Sequence, residues 1–453
     1  RRENLRRAVG AAAKSYTNLL VQAAGKESLD AALAELERKK TEYAEIEGEI
    51  NGQTSDYNAV LHSPALTADE IRSNIVDRDS ALLEYCLGED RSYLWLITPE
   101  RIASFELPAR ARIEATARLV YQLLTARNRR LRFETTEEKL ARVASADSEY
   151  WRASARLSAM LLGPIAKQLG RKRLLIVPDG ALFHIPFAAL PDPRAGVKEV
   201  PLIVDHEIVV LPSASTLAQL RREVASRRAG KKLIAVIADP VYSTTDPRLG
   251  GHRKENGSNT FQRLPSAREE AAGILSLVAP SARNAALDFD ASRDRVLREG
   301  LSDYRYIHFA THAFVDDAHS ELSAMVLSLV DAQGRGQDGF LRLYDVGGLR
   351  LSADLVVLSG CRTGLGRQVR GEGVIGLARG FFYAGAARTA VTLWDVNDRA
   401  TAELMKNFYG RILGADPLSP AAALRAAQIS MWKQSRWRAP YYWASFILSG
   451  EPR

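Results

Sequence analysis

Cysteine is nearly absent: the 453-residue chain holds two, Cys86 and Cys361. Two thiols exclude a disulfide framework and cannot build a cysteine-rich zinc site, and a reducing cytoplasm is the expected compartment. Histidine is also scarce, with seven residues, and none shows ligand-like spacing around the thiols. No metal and no other cofactor is therefore expected. Apolar runs never approach the roughly 18 residues that a membrane span needs, so no membrane contact is expected either. A charged-then-apolar leader is missing, and the first residue is Arg1 rather than Met, which suggests that an upstream region precedes it.

Acidic charge is outweighed, giving a formal net charge of +8. Basic residues cluster over 127–132 and from Arg248 to Arg263. Aromatic interleaving and any nucleic-acid motif are lacking, so nucleic acid is the weaker partner alternative. The favoured reading is a solvated face and a mobile loop. The loop Ser243–Arg263, polar and glycine-containing, reads as a surface connection, with a nicking site or gate as its alternative.

Present instead is the profile of a soluble globular protein, 46% hydrophobic and 26% charged. The length suffices for two or three domains. Residues 1–52 read as two helices, with Leu5, Val9, Ala12, Tyr16 and Leu19 on one stripe. Leu29, Leu33, Leu36, Tyr43, Ile46 and Ile50 form the other, with Ser28 as a plausible N-cap. They form an antiparallel pair or the end of a longer helical array. From about residue 66, strands and helices alternate as in an α/β unit. Cys86 falls in an apolar strand of that unit and reads as a small core residue. Asp179, His184 and His206 stand at strand ends there and read as turn and packing residues, so the unit offers no nucleophile. A second α/β unit begins near Lys231, with strands at Leu233–Ala238, Tyr304–Thr311, Leu355–Ser359, Arg388–Trp394 and Trp443–Leu448. Val374–Ala384 reads as a helix.

Two of these strands deliver chemistry. Tyr304–Thr311 runs out into His312 and Ala313, and Leu355–Ser359 into Gly360-Cys361. In open α/β sheets, functional side chains gather at the carboxyl ends of parallel strands. An imidazole and a thiol there point to a cysteine nucleophile with a histidine base, and to peptide-bond cleavage. Backbone N–H groups of Ala313 and Cys361 are the candidate oxyanion donors. His308, inside its strand, reads as a core imidazole.

The strings His308-Phe-Ala-Thr-His-Ala313 and Leu355-Val-Val-Leu-Ser-Gly-Cys-Arg-Thr-Gly-Leu-Gly366 resemble the CHAT domain of caspase-like peptidases. So do Gly371–Arg379, Tyr383–Ala386 and Tyr442–Leu448. The 49 residues from His312 to Cys361 suit the spacing of about 50 known for caspases. The resemblance implies an α/β, caspase–hemoglobinase-like fold. A helical segment over 1–65 would precede a degenerate, non-catalytic peptidase-like unit (66–228) and an active peptidase domain (229–453). It implies His312 as base and Cys361 as nucleophile. Many members carry Ala before the cysteine and Gly after the histidine, where this chain has Gly360 and Ala313. Alanine resists positive φ, so the oxyanion geometry depends on the backbone at 313.

The segment Leu393–Asp398 is similar to one in separase, where an aspartate at the strand end receives a P1 arginine. Asp395 matches it, and a carboxylate there would pair a guanidinium bidentately. The competing reading makes Asp395 or Asp398 the cap of the following helix. The expected partners are a protein substrate and an activating protein that engages the N-terminal helices. The alternative function is a non-catalytic interaction scaffold.

Overall fold

The computed structural model describes the chain except residues 1, 22–23, 52–65, 130, 195–198, 229, 251–260, 317–318, 320–321, 361–362, 364–365, 370–372 and 453. Two helices come first, α1 (Arg2–Val21) and α2 (Lys26–Asn51). Helix α2 starts two residues before Ser28, which therefore lies in its first turn rather than capping it. The 3.6-residue period puts Val9, Ala13 and Tyr16 of α1 and Leu36 of α2 on facing stripes, where they cluster with the distant Leu322. Exposed pairs such as Arg38–Glu35 and Lys40–Glu37 occupy the solvent side of α2.

The α/β portion is built on one sheet of eleven strands. Its first half comprises β1 (Ser80–Cys86), β2 (Ser92–Ile97), β3 (Ile102–Leu107), β4 (Arg173–Val177) and β5 (Ile208–Val210). The second half comprises β6 (Lys232–Pro240), β7 (Arg283–Asp288), β8 (Tyr304–Ala310), β12 (Leu355–Ser359) and β15 (Arg388–Thr392). The last strand, β16 (Phe446–Gly450), lies between β5 and β15. It runs parallel to β5 and antiparallel to β15, so it joins the two halves edge to edge. Along the second half, the order β15-β12-β8-β6-β7 is parallel throughout.

Parallel strands are covered on both faces, which is why β12 is buried along its whole length. In β12, Leu355 and Val357 enter one core, and Val356 and Leu358 enter the other. Helices α3 (Arg110–Leu124), α4 (Thr136–Leu161), α5 (Pro265–Leu275), α6 (Asp398–Ile412) and α7 (Pro420–Trp432) contribute to the first core. The other core takes Val346 and Phe381. The result is a three-layer α/β sandwich.

Two small sheets escape the sequence pattern. Strands β9 (His312–Phe314), β10 (Ala324–Val326) and β11 (Phe340–Arg342) pair antiparallel, and β13 (Gly366–Val369) forms a hairpin with β14 (Gly373–Gly376). The expected helix from Val374 therefore starts only at Leu377. Cys86 corrects another expectation. It ends β1 in an exposed position, because the alternation of that strand turns its last side chain to solvent.

Three members of the basic clusters have acidic partners. Arg127 makes a two-pronged contact with Asp147 and stacks over Tyr441 and Tyr442. Arg248 and Arg263 both reach the buried carboxylate of Asp239. The described ends of the Ser243–Arg263 loop are tied down rather than loose.

Candidate active site

Four parallel strands end along one rim: β6 in Asp239-Pro240, β8 two residues before His312, β12 before Gly360, and β15 three residues before Asp395. Strand β8 stops at Ala310, Thr311 bends, and His312 opens β9. The imidazole therefore stands at the corner where the chain leaves the large sheet for the small one. Thr311 fixes that corner. Its N–H donates to the Ser359 carbonyl at 3.2 Å, and its hydroxyl lies 2.8 Å from the Tyr242 hydroxyl and also donates to the Val326 carbonyl.

His312 is half-buried between two rings, with centroids 5.1 Å from Tyr242 and 5.5 Å from Phe261. Its backbone N–H donates to the Tyr242 hydroxyl at 3.4 Å. Its Nε2 lies 2.6 Å from the Gln262 carbonyl oxygen. A carbonyl only accepts, so Nε2 carries the proton in this contact and the neutral ring presents a bare lone pair at Nδ1. Burial pushes the imidazole below its ordinary pKa, and the Gln262 carbonyl and the carboxylates of Asp398 and Asp395 oppose that push without reversing it. At neutral pH the ring is uncharged and able to take a proton.

The nucleophile candidate Cys361 lies outside the described residues; its chain neighbours Gly360 and Thr363 do not. Gly360 presses against the backbone on both sides of His312. A Cβ there would come 2.4 Å from the Thr311 carbonyl oxygen and 3.5 Å from the Ala313 nitrogen. Only glycine fits, which accounts for this chain's departure from alanine at that position. The Gly360 carbonyl accepts from the Thr392 hydroxyl. Beyond position 361, Thr363 is held by its N–H on the Thr392 hydroxyl at 3.2 Å and by its own hydroxyl on the Leu358 carbonyl at 2.9 Å. Two buried threonines thus fasten the chain on either side of the cysteine to the ends of β12 and β15.

Ala313 has the extended backbone of β9 and is not among the positive-φ residues. The left-handed geometry that alanine would resist is not needed. Of the expected oxyanion donors, Ala313 is placed beside Gly360, whereas the Cys361 N–H lies outside the described residues.

Asp395 follows β15 and is exposed. Its backbone carbonyl accepts from the Asn128 side-chain amide at 2.8 Å and from the Tyr441 hydroxyl at 3.2 Å. Neither Asp395 nor Asp398 caps α6. That role falls to Asn397, whose side chain accepts from the Ala400 N–H at 3.0 Å. Asp398 instead accepts from the Ser266 N–H of α5 at 3.0 Å. The Asp395 carboxylate makes no hydrogen bond or ion pair among the described residues.

Among the described residues, His308 and His206 make packing and hydrogen-bond contacts, as read from the sequence. His308 is buried beside Tyr409 (Nδ1 to hydroxyl 3.2 Å). Its Nε2 lies 2.9 Å from the buried Glu270, too poorly aligned for a good hydrogen bond. His206 bonds the Lys172 carbonyl at 2.7 Å, and the Asp179 carboxylate accepts from the Leu87 N–H at 2.8 Å. Nothing in the sequence singles out Tyr242, Gln262 or Thr392, and Asp239 stands there only as the residue after the Leu233–Ala238 strand.

Comparison with known proteins follows the same lines. The Saccharomyces cerevisiae separase–securin complex superposes with a TM-score of 0.57 at 9% identity, over 94% of this chain and 34% of that one. A second structure of the same complex gives 0.55 at 8% identity, over 85% and 30%. At such identity the likeness establishes the fold alone. Tetratricopeptide repeat protein 28 of Mus musculus and of Homo sapiens are each 26% identical over 329 residues, 64% of this chain. The chain spans only 12% of the length of these two relatives. Among the described residues no helix is long and apolar enough to cross a membrane. Residues 152–451 match the CHAT domain, and with two thirds of its length matched the chain belongs to the CHAT domain family.

Proposed function

We propose that this chain is a cysteine endopeptidase in which His312 is the base and Cys361 the nucleophile. The observation that carries the reading is the pressure of Gly360, the residue before the thiol, on the backbone flanking a neutral, carbonyl-oriented His312. Nδ1 of His312 takes the thiol proton as sulfur attacks the substrate carbonyl carbon. The oxyanion so formed is met by the N–H groups of Ala313 and Cys361. The imidazolium then gives its proton to the departing amine, leaving a thioester. A water molecule, deprotonated by the same nitrogen, hydrolyses the thioester, releases the carboxyl product and restores the thiol.

Substrates are protein chains with Arg or Lys at P1, received by the unengaged Asp395 carboxylate. A partner switches the enzyme through the N-terminal helices. The α1–α2 hairpin packs on Leu322, and Tyr16 meets His319 with ring centroids 5.8 Å apart. Both contacts fall in the segment that follows β9, so a partner that shifts the hairpin pulls on the strand that begins with His312. Relatives named for tetratricopeptide repeats agree with a helical array as the receiving element. A reducing cytoplasm suits the free thiol.

Labelling by an electrophilic peptide with arginine at its reactive end tests the reading. Wild type is expected to label and both Cys361→Ala and His312→Ala to fail. Persistent labelling of Cys361→Ala would remove the nucleophile assignment, and a folded, unreactive wild type would favour the scaffold.

A further inference from the structure

Strand β6 ends in a cluster of charges that the reaction above does not use. Asp239 and Asp288 close the adjacent strands β6 and β7 with left-handed backbone, φ 50° and 56°. Non-glycine residues reach that region only when their surroundings hold them there. The surroundings here are three guanidinium groups. Arg263 forks onto both oxygens of Asp239 at 2.9 and 2.8 Å. Arg268 of α5 donates from Nε to Asp239 at 3.0 Å and also reaches Asp288. Arg248 donates to the Asp239 carbonyl at 2.8 Å, to Asp288 at 2.7 Å and to Asp246 at 2.7 Å. Three acids balance three bases, and the Asp239 carboxylate is fully buried.

This arrangement is adjacent in the chain to the base. Arg263 follows Gln262, the residue whose carbonyl receives the His312 Nε2 proton, and Phe261 covers the imidazole. Residues 261–263 belong to no helix or strand, so no ladder of backbone hydrogen bonds holds that carbonyl in place. The bidentate salt bridge ties the segment to the end of β6. A planar fork on a buried carboxylate sets orientation as well as distance.

We propose that Asp239 and Arg263 are positioning residues, whose ion pair pins the Gln262 carbonyl on His312 and so decides which ring nitrogen faces the thiol. The inference rests on the peptidase reading, because only there does the choice of nitrogen matter to a reaction. Without the pin, the carbonyl drifts, the ring can turn or change tautomer, and Nδ1 is no longer reserved for the thiol proton. Loss of the carbonyl also removes a group that favours the charged ring. Tyr242 and Phe261 remain as apolar cover, and Asp395 and Asp398 remain as the nearby carboxylates.

The test is NMR of 15N-histidine-labelled protein in the Cys361→Ala background, with the His312 signal assigned by His312→Gln. Arg263→Gln and Asp239→Asn are compared with Arg263→Lys and with the remote Arg298→Gln. Arg263→Gln is expected to raise the fraction of ring protonated at Nδ1 and to lower the titration midpoint of His312. In the intact enzyme it should lower the maximal labelling rate roughly fivefold to tenfold with little change in probe affinity. Arg263→Lys should recover part of the loss, and Arg298→Gln should change nothing. Should Asp239→Asn fail to fold, the half-exposed Arg263 variants still decide. An unchanged tautomer ratio and midpoint in folded Arg263→Gln would overturn the proposal. Absence of labelling in wild type would instead strike the peptidase reading, leaving the NMR comparison to judge the clamp alone.

Discussion

Gly360→Ala is the substitution on which the geometry of the site turns. The added methyl would stand 2.4 Å from the Thr311 carbonyl oxygen, against the 3.4 Å at which ordinary contact begins. One of the two strands must therefore retreat by about 1 Å. Neither partner is a flexible side chain. Thr311 is tied through its N–H to Ser359 and through its hydroxyl to Tyr242 and Val326, and Gly360 is tied through its carbonyl to Thr392. Overpacking of this kind costs about 1–3 kcal/mol. The displaced backbone is the one that carries His312, and a misplacement near 1 Å can cost on the order of 100-fold in rate. Urea unfolding and the rate of labelling by an electrophilic arginyl peptide, measured together, check both figures. Gly410→Ala is the control: it adds a methyl in helix α6 where nothing lies within 4 Å. Relief of the glycine penalty should make that variant about 0.5–1 kcal/mol more stable at full activity. Gly360→Ala with wild-type stability and a labelling rate within threefold of wild type would refute the account of how the two strand ends are held together.

Burial lowers the His312 pKa, so the acid limb of the labelling rate should have its midpoint below the ordinary histidine value of about 6.5; a midpoint above 7 would contradict a neutral buried base. The same shift carries a stability sign. The unfolded chain binds the proton more readily, so the contribution of this histidine is complete above about 6.5 and is lost as pH falls toward the folded value. His206, whose pKa burial also lowers, adds to the same trend, and urea midpoints at pH 7.5 and 5.5 should show it. Asp395→Asn should abolish the preference for Arg and Lys in a P1 scan while leaving the melting temperature unchanged, since among the described residues its carboxylate bonds to nothing. A basic preference that survives the substitution would assign that pocket to another residue.

Much of the architecture was legible in the chain because its signals are local. Leu355–Ser359 is apolar at its first four positions and buried at all five, as a strand covered on both faces can be, and its ends agree with the structure to the residue. His312 stood out because an apolar run stops just before it. Other readings failed where local pattern and environment part company. Cys86 sits in an apolar run, yet the strand ends there and the thiol faces out. Val374–Gly376 continues the spacing of the following helix but is taken into a hairpin, where pairing with β13 outweighs helical propensity. Arg248 and Arg263 read as solvated charge because their partner Asp239 is 9 and 24 residues away, and nothing in the intervening chain announces the meeting.

Gln262 was invisible for a deeper reason. It serves through a backbone carbonyl, which every residue possesses, so its identity carries no trace of the role. The chain by itself determined the covalent inventory: one imidazole and one thiol at the exits of two apolar strands, a lone aspartate at the exit of a third, and the alternation of strands and helices. The tertiary structure alone decided which nitrogen of His312 meets the Gln262 carbonyl, why position 360 must lack a side chain, and which acid holds Arg263. Those properties are distances between segments far apart in sequence, set by how two strands and a loop pack at a sheet rim, and side-chain identity does not encode them locally.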